Sequence, residues 1–166
     1  MVFLLFIIIV FAIYMSLSIK VVKQSEVMII ERLGKYHHTA MPGTNFVLPF
    51  IDNIRATINV EKIQTLEIPP QSIITKDNII INIGTIIKYQ ITDPVKAIYE
   101  IASLERGIEV MTITILHELV EKMDYDTAVN SKTEIRHKLQ NILTEADSQW
   151  GTAILELDFS NFAKNI

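Results

Sequence analysis

The order of apolar and polar positions divides the chain into three stretches of different period. From Met1 to Ile19 there is no charged residue, and Phe3, Leu4, Leu5, Phe6, Ile7, Ile8, Ile9, Val10, Phe11 and Ile13 form a nearly unbroken apolar block. A helix over residues 1–19 is about 28 Å long, close to the hydrocarbon thickness of about 30 Å. The pattern therefore predicts a single transmembrane anchor. A cleavable signal peptide is the competing reading, with Ser16-Leu17-Ser18 as a small-x-small site. Signal peptides open with a positive segment and carry a shorter apolar core, which favours the retained anchor.

The second stretch has the period of strands. Val27 to Leu33 is β-rich and ends at Gly34, Pro42-Gly43 marks a turn, and Asn45 to Ile51 is apolar but broken by Pro49. Ile54 to Glu67 alternates and is closed by Pro69-Pro70. The clearest strand is Ile79 to Ile91: Ile79, Ile81, Ile83, Thr85, Ile87, Tyr89 and Ile91 fall on one face, with Asn82, Gly84, Lys88 and Gln90 on the other. Asp77-Asn78 suits a hairpin turn from a strand at Ser72 to Lys76.

The third stretch has mainly the period of helices. Asp93-Pro94 reads as an N-cap followed by proline at the first helical position, opening a short helix to about Ile101. Ile108, Met111, Ile115, Leu119 and Met123 recur at spacings of three and four, one face of a longer helix. Ser131-Lys132-Thr133-Glu134 has the form of a capping box, and Ile135, Leu139, Ile142 and Ala146 give the stripe of a last helix ending near Trp150-Gly151. A closing strand follows, Ala153, Leu155, Leu157 and Phe159 alternating against Thr152, Ile154, Glu156 and Asp158. The fold class is α+β. Its parts are an anchor at 1–19, a β-rich membrane-proximal lobe at 20–92, and an α/β lobe at 93–166 with two longer helices and the closing strand.

Charge adds orientation and removes some partners. Lys20, Lys23, Arg32 and Lys35 all follow the anchor, so the positive-inside rule places the domain in the cytoplasm, on a single-pass membrane protein. The net charge of −4 lies entirely after residue 19, which gives no basic excess for nucleic acid. The chain has no cysteine, which excludes disulfides, thiolate catalysis and cysteine-ligated zinc.

Candidate chemistry is thin. His117-Glu118-Leu119-Val120-Glu121 begins like the zinc-protease helix H-E-x-x-H but ends in glutamate. His117 and Glu121 share a helix face, yet a catalytic zinc needs a third protein ligand, and His137 sits on a different helix. His37-His38 reads as loop surface, since neighbours on an extended chain point to opposite sides. Neither a nucleophile elbow nor a phosphate-cradling glycine loop is present. The expectation is a protein that is not an enzyme and holds no cofactor or metal.

Phe46-Val47-Leu48-Pro49-Phe50-Ile51 is the sharper feature. Proline inside an apolar run removes a ladder donor, so the segment suits an edge or a loop pressed into the lipid interface, with a buried strand beside a bulge as the alternative.

Taken together, Val22-Lys23-Gln24-Ser25-Glu26, Glu31-Arg32-Leu33-Gly34-Lys35-Tyr36 and Pro42-Gly43 leading to Leu48-Pro49-Phe50-Ile51-Asp52 resemble the start of the stomatin/prohibitin/flotillin (SPFH, band 7) domain. Pro69 to Asn78 and Tyr89 to Tyr99 look like that family's bacterial stomatin-like branch, and with Asp147 to Gly151 the resemblance covers nearly the whole chain. It implies a membrane-anchored, non-enzymatic scaffold. Copies would stand side by side in a ring or cage, organising a membrane microdomain and regulating a membrane protease or a small NfeD-type partner. It also favours membrane contact for Phe46 to Ile51.

Three departures bear on this expectation. His117 stands where relatives carry arginine, and Glu121 where they carry glycine. Lys132 replaces a further arginine, and lysine does not substitute equally for a bidentate ion pair. The long C-terminal helix or coiled coil that the resemblance implies does not follow Ile166. The expectation is then a weaker, smaller or absent ring, with a non-assembling lipid-binding module or a truncated paralogue as the alternative.

Overall fold

In the computed structural model the sequence of elements begins with a helix, α1 (Val2–Ser18), which stops where the next residue enters a strand. The structure describes residues 2–164, and the side chains of Val2, Val10 and Ala12 lie outside the description. Two compact units are formed, Met1–Lys62 and Ile63–Ile166.

In the first unit α1 runs into β1 (Ile19–Val22), which pairs antiparallel with β4 (Gly43–Phe46). The Ser18 carbonyl accepts from Val47 N–H at 2.8 Å, so the ribbon takes up a carbonyl at the helix end. A three-stranded antiparallel sheet, order β3-β2-β5, is built from β2 (Glu26–Arg32), β3 (Lys35–Ala40) and β5 (Asp52–Asn59). Val22, Ile30, Ala40 and Val47 form a buried cluster with Met28 packed against it. The ribbon and the sheet thus share one core.

The anchor expectation needs correction. Among the described residues no helix is long and apolar enough to cross a membrane. With 17 residues, α1 reaches about 26 Å against a hydrocarbon core of about 30 Å. Its end is set by Ile19 pairing with Phe46, a tertiary contact that hydropathy does not register. An orientation argument based on a crossing helix loses its footing with it.

The second unit is a three-stranded antiparallel sheet, order β6-β7-β8, carrying four helices. Its strands are β6 (Gln64–Ile74), β7 (Ile80–Ile91) and β8 (Thr152–Lys164). The strands at 64–91, grouped by sequence with the first lobe, pair with the C-terminal strand and belong to the second unit. On β7, Ile81, Ile83, Thr85, Ile87, Tyr89 and Ile91 are all buried, the face expected from the alternation.

Pro69-Pro70 does not close a strand. It sits inside β6 at a register shift between Ile68 and Gln71. Because β6 is an edge strand, a missing N–H there leaves no ladder donor unmet, and the bulge absorbs the extra residue. Gly84 faces this point: a Cβ on it would collide with Ser160 Oγ and come within 3.3 Å of Pro70 Cγ.

Four helices follow: α2 (Pro94–Tyr99), α3 (Leu104–Val120), α4 (Tyr125–Asn130) and α5 (Lys132–Trp150). Asp93 caps α2 as expected, accepting from Val95 N–H and Lys96 N–H at 3.1 and 3.2 Å. On α3 the buried stripe is Ile108, Thr112, Ile115, Leu116 and Val120, rotated from the expected one, with Met111 and Leu119 half-buried. On α5, Leu143 and Asp147 are buried, and Ile142 lies at the margin.

The expected capping box at Ser131 is not made. Ser131 also ends α4, its N–H bonding Thr127 C=O at 2.9 Å, which holds it at φ −97°, ψ 17°. An N-cap needs an extended backbone to turn its hydroxyl onto the helix. Glu134 pairs instead with Lys138 at 2.6 Å.

Gly151 ends α5 in the left-handed region (φ +68°), and its carbonyl accepts from Thr92 N–H and Asp93 N–H, both at 2.9 Å. The parity of β8 also differs from the expected alternation. Thr152, Ile154, Leu157 and Phe159 are buried while Leu155 is exposed. Lys88 opposes Glu156 and Tyr89 opposes Ile154, so Leu155 is the extra residue of a bulge and the side chains from Glu156 to Phe159 change face, until a second shift at Ser160.

Candidate functional site

The apolar surface of the first unit starts on α1. Phe3, Leu4, Leu5, Phe6, Ile7, Ile8, Ile9, Phe11 and Ile13 are exposed, while the Val10 side chain lies outside the described residues. The helix has no charged residue at either end. A helix that is apolar all round is stable only when buried in protein or lipid. The surface continues onto the β1–β4 ribbon, where Ile19 pairs with Phe46, Val21 pairs with Thr44, and Ile19, Val21 and Phe46 are exposed.

Segment 46–51 is neither an edge strand nor a buried one. Phe46 ends β4 and Val47 turns into the core, while Leu48 and Pro49 are half-buried. Leu48 to Ile51 is a tight turn: the Leu48 carbonyl accepts from Ile51 N–H at 3.4 Å and from Asp52 N–H at 3.0 Å. Proline fits the second position of such a turn, having no N–H to satisfy there. Phe50 occupies the third with φ +72°, a position that ordinarily takes glycine or asparagine. It projects with 96% of its surface exposed, and Ile51 beside it is also exposed.

The chain returns next to this turn through the two-residue loop between β2 and β3. Leu33 and Gly34 there have φ of +53° and +80°, and Leu33 is 84% exposed. Leu33 N–H reaches the Ile51 carbonyl at 3.4 Å. The two loops are held by one ion pair: Arg32 Nε donates to Asp52 Oδ1 at 2.7 Å and Arg32 Nη2 to Asp52 Oδ2 at 3.0 Å. Asp52 Oδ2 also accepts from Leu48 N–H at 2.9 Å. The guanidinium beside it, with the Leu48 N–H, holds the Asp52 carboxyl down to about 2.

Sequence reasoning named Phe46 to Ile51 and missed Leu33, Ile19 and Val21. An apolar residue immediately before glycine in a short turn was the available signal for Leu33. Nothing in a spacing of twenty residues points to Arg32 and Asp52 as partners.

The candidate residues for chemistry meet in pairs, and among the described residues no third ligand joins either pair. His117 Nδ1 lies 3.1 Å from Glu121 Oε1 on the exposed side of α3, and Glu118 is taken by Lys122 at 2.8 Å. Among the described residues no three His, Cys, Asp or Glu side chains gather as metal ligands. His37 and His38 lie in β3 rather than in a loop, rings edge to face with centroids 5.0 Å apart. An open apolar groove of about 660 Å³ runs along α3, lined by Ile101, Ala102, Gly107, Val110 and Met111 among others. Its arginine, Arg106, is engaged by Glu109 at 2.8 Å.

An apolar leading helix, a β-rich first unit and a second unit with helices on an antiparallel sheet make an α+β protein. The chain belongs to the SPFH domain / Band 7 family, whose model matches residues 20–163. It is 34% identical over 158 residues to a protein of Mycobacterium tuberculosis described only as uncharacterized, covering 95% of this chain and 41% of the relative. A Methanocaldococcus jannaschii protein, also described as uncharacterized, is 32% identical over 85% of this chain and 70% of its own length. A stomatin homolog of Pyrococcus horikoshii is 28% identical over 149 residues, 90% of this chain and 55% of the relative. The chain thus spans only about two fifths of the mycobacterial relative's length.

Proposed function

We propose that this band 7 protein is a membrane-associated scaffold without catalytic activity of its own. It self-associates side by side on the bilayer and organises the membrane around it. The observation that carries this reading is the uncharged helix α1, apolar at nearly every position, joined to a ribbon and a turn that present Ile19, Val21, Phe46 and Phe50 to the outside. Taking α1 into the apolar layer removes most of this surface from water, at roughly 25 cal/mol per Å². Phe46 and Phe50 to Ile51 rest on the lipid interface, with Val47, Leu48 and Pro49 supporting them from within.

Self-association, microdomain formation and the control of a membrane protease or NfeD-type partner are extended to this chain from its family resemblance. Crosslinking in native membranes followed by sizing tests them, with an assembly of many copies expected. A strict monomer at high membrane density overturns the scaffold and leaves the second reading, a lipid-binding module that does not assemble. That alternative is favoured by the same lipid-facing surface, which needs no second copy. Flotation with vesicles separates both from a protein that ignores lipid: loss of binding on deleting residues 2–18 is expected, and binding to neither form overturns the membrane reading.

A further inference from the structure

The outer side of α3 carries an apolar surface that its own unit leaves uncovered. Arg106, Val110, Thr114 and Glu118 follow one another at steps of four, a single row along the helix, and all four are exposed. Beside this row runs the groove of about 660 Å³, with Met111 and Thr114 along it and the buried Ile115 at its base. Ile101 forms the other bank, its Cδ1 occupying the space that a Cβ on Gly107 would need. Val110, 47% exposed, stands on the rim.

Charge sits at the ends of the row, with only Val110 and Thr114 between. Arg106 marks the N-terminal end, and Glu118, with Glu121 one turn on, marks the other. Arg106 gives Nη1 to Glu109 at 2.8 Å, while Glu118 takes Lys122 at 2.8 Å and Glu121 takes His117 at 3.1 Å, each through one oxygen. The remaining guanidinium N–H groups and carboxylate oxygens can therefore meet a second copy without breaking these contacts.

We propose that this side of α3 is a two-fold contact between copies of the chain, antiparallel and centred level with Thr112, in which Arg106 faces Glu118 and Glu121 of the second copy. The inference rests on the self-association proposed above and names the surface, orientation and register of one contact. In this register Val110 of each copy enters the hollow between Met111, Thr114 and Ile115 of the other, a knob in a hole repeated by symmetry. The occupant is a second copy because the row is complementary to itself in this orientation only. A parallel copy would bring arginine to arginine and glutamate to glutamate.

Exposed ion pairs add little affinity, so the charges select orientation and the groove supplies the attraction. A helix of 17 residues is about 26 Å long and about 10–12 Å across, so two such faces cover roughly 600 Å² together. A standard interface takes about 1,200 Å² or more. The contact is thus a transient one in dilute solution and closes where copies are concentrated on a surface.

The chain has no cysteine, so Val110→Cys and Thr114→Cys each introduce a single thiol. The full chain is tested in vesicles of phosphatidylcholine and phosphatidylglycerol at high protein density, with copper-phenanthroline as oxidant. Mixed Val110→Cys and Thr114→Cys copies are expected to form a disulfide dimer in higher yield than either variant alone. Higher yield from each variant alone means a parallel contact and overturns the proposal. Assemblies of many copies without a 110–114 bond overturn this contact and leave the scaffold reading standing, whereas a strict monomer overturns both. A thiol at position 110 that is shielded from a water-borne reagent in native membranes, without any 110–114 bond, assigns the groove to another occupant and also overturns it.

A charge exchange reads the orientation separately. Arg106→Glu in both copies is expected to lower the 110–114 yield roughly fivefold, the effect of two exposed ion pairs. Pairing Arg106→Glu copies with copies carrying Glu118→Lys and Glu121→Lys is expected to restore it, since each end then meets the opposite charge. An unchanged yield in Arg106→Glu, or no restoration in the exchanged pair, overturns the proposal.

Discussion

Arg32 and Asp52, twenty residues apart, close on each other with two hydrogen bonds of 2.7 and 3.0 Å, and the Asp52 side chain is only 1% exposed. The carboxylate is therefore held in a desolvated place by a forked donor and a backbone N–H. Such a pair is costly to break on one side, because the remaining charge is left buried without a partner. Arg32→Gln is expected to destabilise the first unit, and Arg32→Lys to do so by less, since an ammonium cannot reproduce the fork. Urea unfolding followed by probes in residues 1–62 measures both.

The same pair sets an acid dependence. Asp52 titrates near 2 in the folded chain against 3.8 ordinarily, so folding favours its charged form. This contribution is complete above about pH 4 and is lost as pH falls through about 2, an effect of about 2 kcal/mol. Unfolding midpoints between pH 2 and 5 are expected to drop less steeply in Asp52→Asn than in the parent.

Asp147 joins α5 to β8 from a buried position. Its carboxylate accepts from Thr152 Oγ1 at 2.7 Å and from Ile154 N–H at 2.8 Å, the latter at the start of an edge strand. Asp147→Ala leaves both donors without their partner, and a loss of about 2–4 kcal/mol is expected in the second unit. Thermal unfolding checks it, with Asp147→Asn expected to fall between.

Gly151 tests the geometry of the same corner. A Cβ at this residue would strike the Asp93 carbonyl oxygen and lie 2.8 Å from Asp93 Cβ, and φ is +68°. Gly151→Ala is expected to cost more than the roughly 1 kcal/mol of a left-handed alanine, because the α5 end must also move off α2. Loss of amide-exchange protection at Thr92 and Asp93 is the local readout.

The β8 bulge makes a prediction that strict alternation would reverse. Leu157→Ala is expected to cost about 2–5 kcal/mol and Leu155→Ala less than about 1, since only Leu157 is buried. Equal effects would place both on one face.

What was legible in the sequence were features carried by local period and local chemistry. The buried face of β7, the Asp93 cap, the two long helices and the glycine ending α5 each depend on residues within a few positions of one another, and each stands in the structure. The apolar character of α1 and of Phe46 to Ile51 was equally plain.

Tertiary structure decided whatever depends on distant pairing. Where α1 stops is set by Ile19 meeting Phe46, and among the described residues no helix is long and apolar enough to cross a membrane. The face of Leu155 is set by a bulge against β7, and β6 passes through Pro69-Pro70 because it runs at a sheet edge. The union of Leu33 with Phe50 rests on Arg32 and Asp52. A register, an edge or an ion pair across twenty residues is a relation between segments, and no period along one segment encodes it.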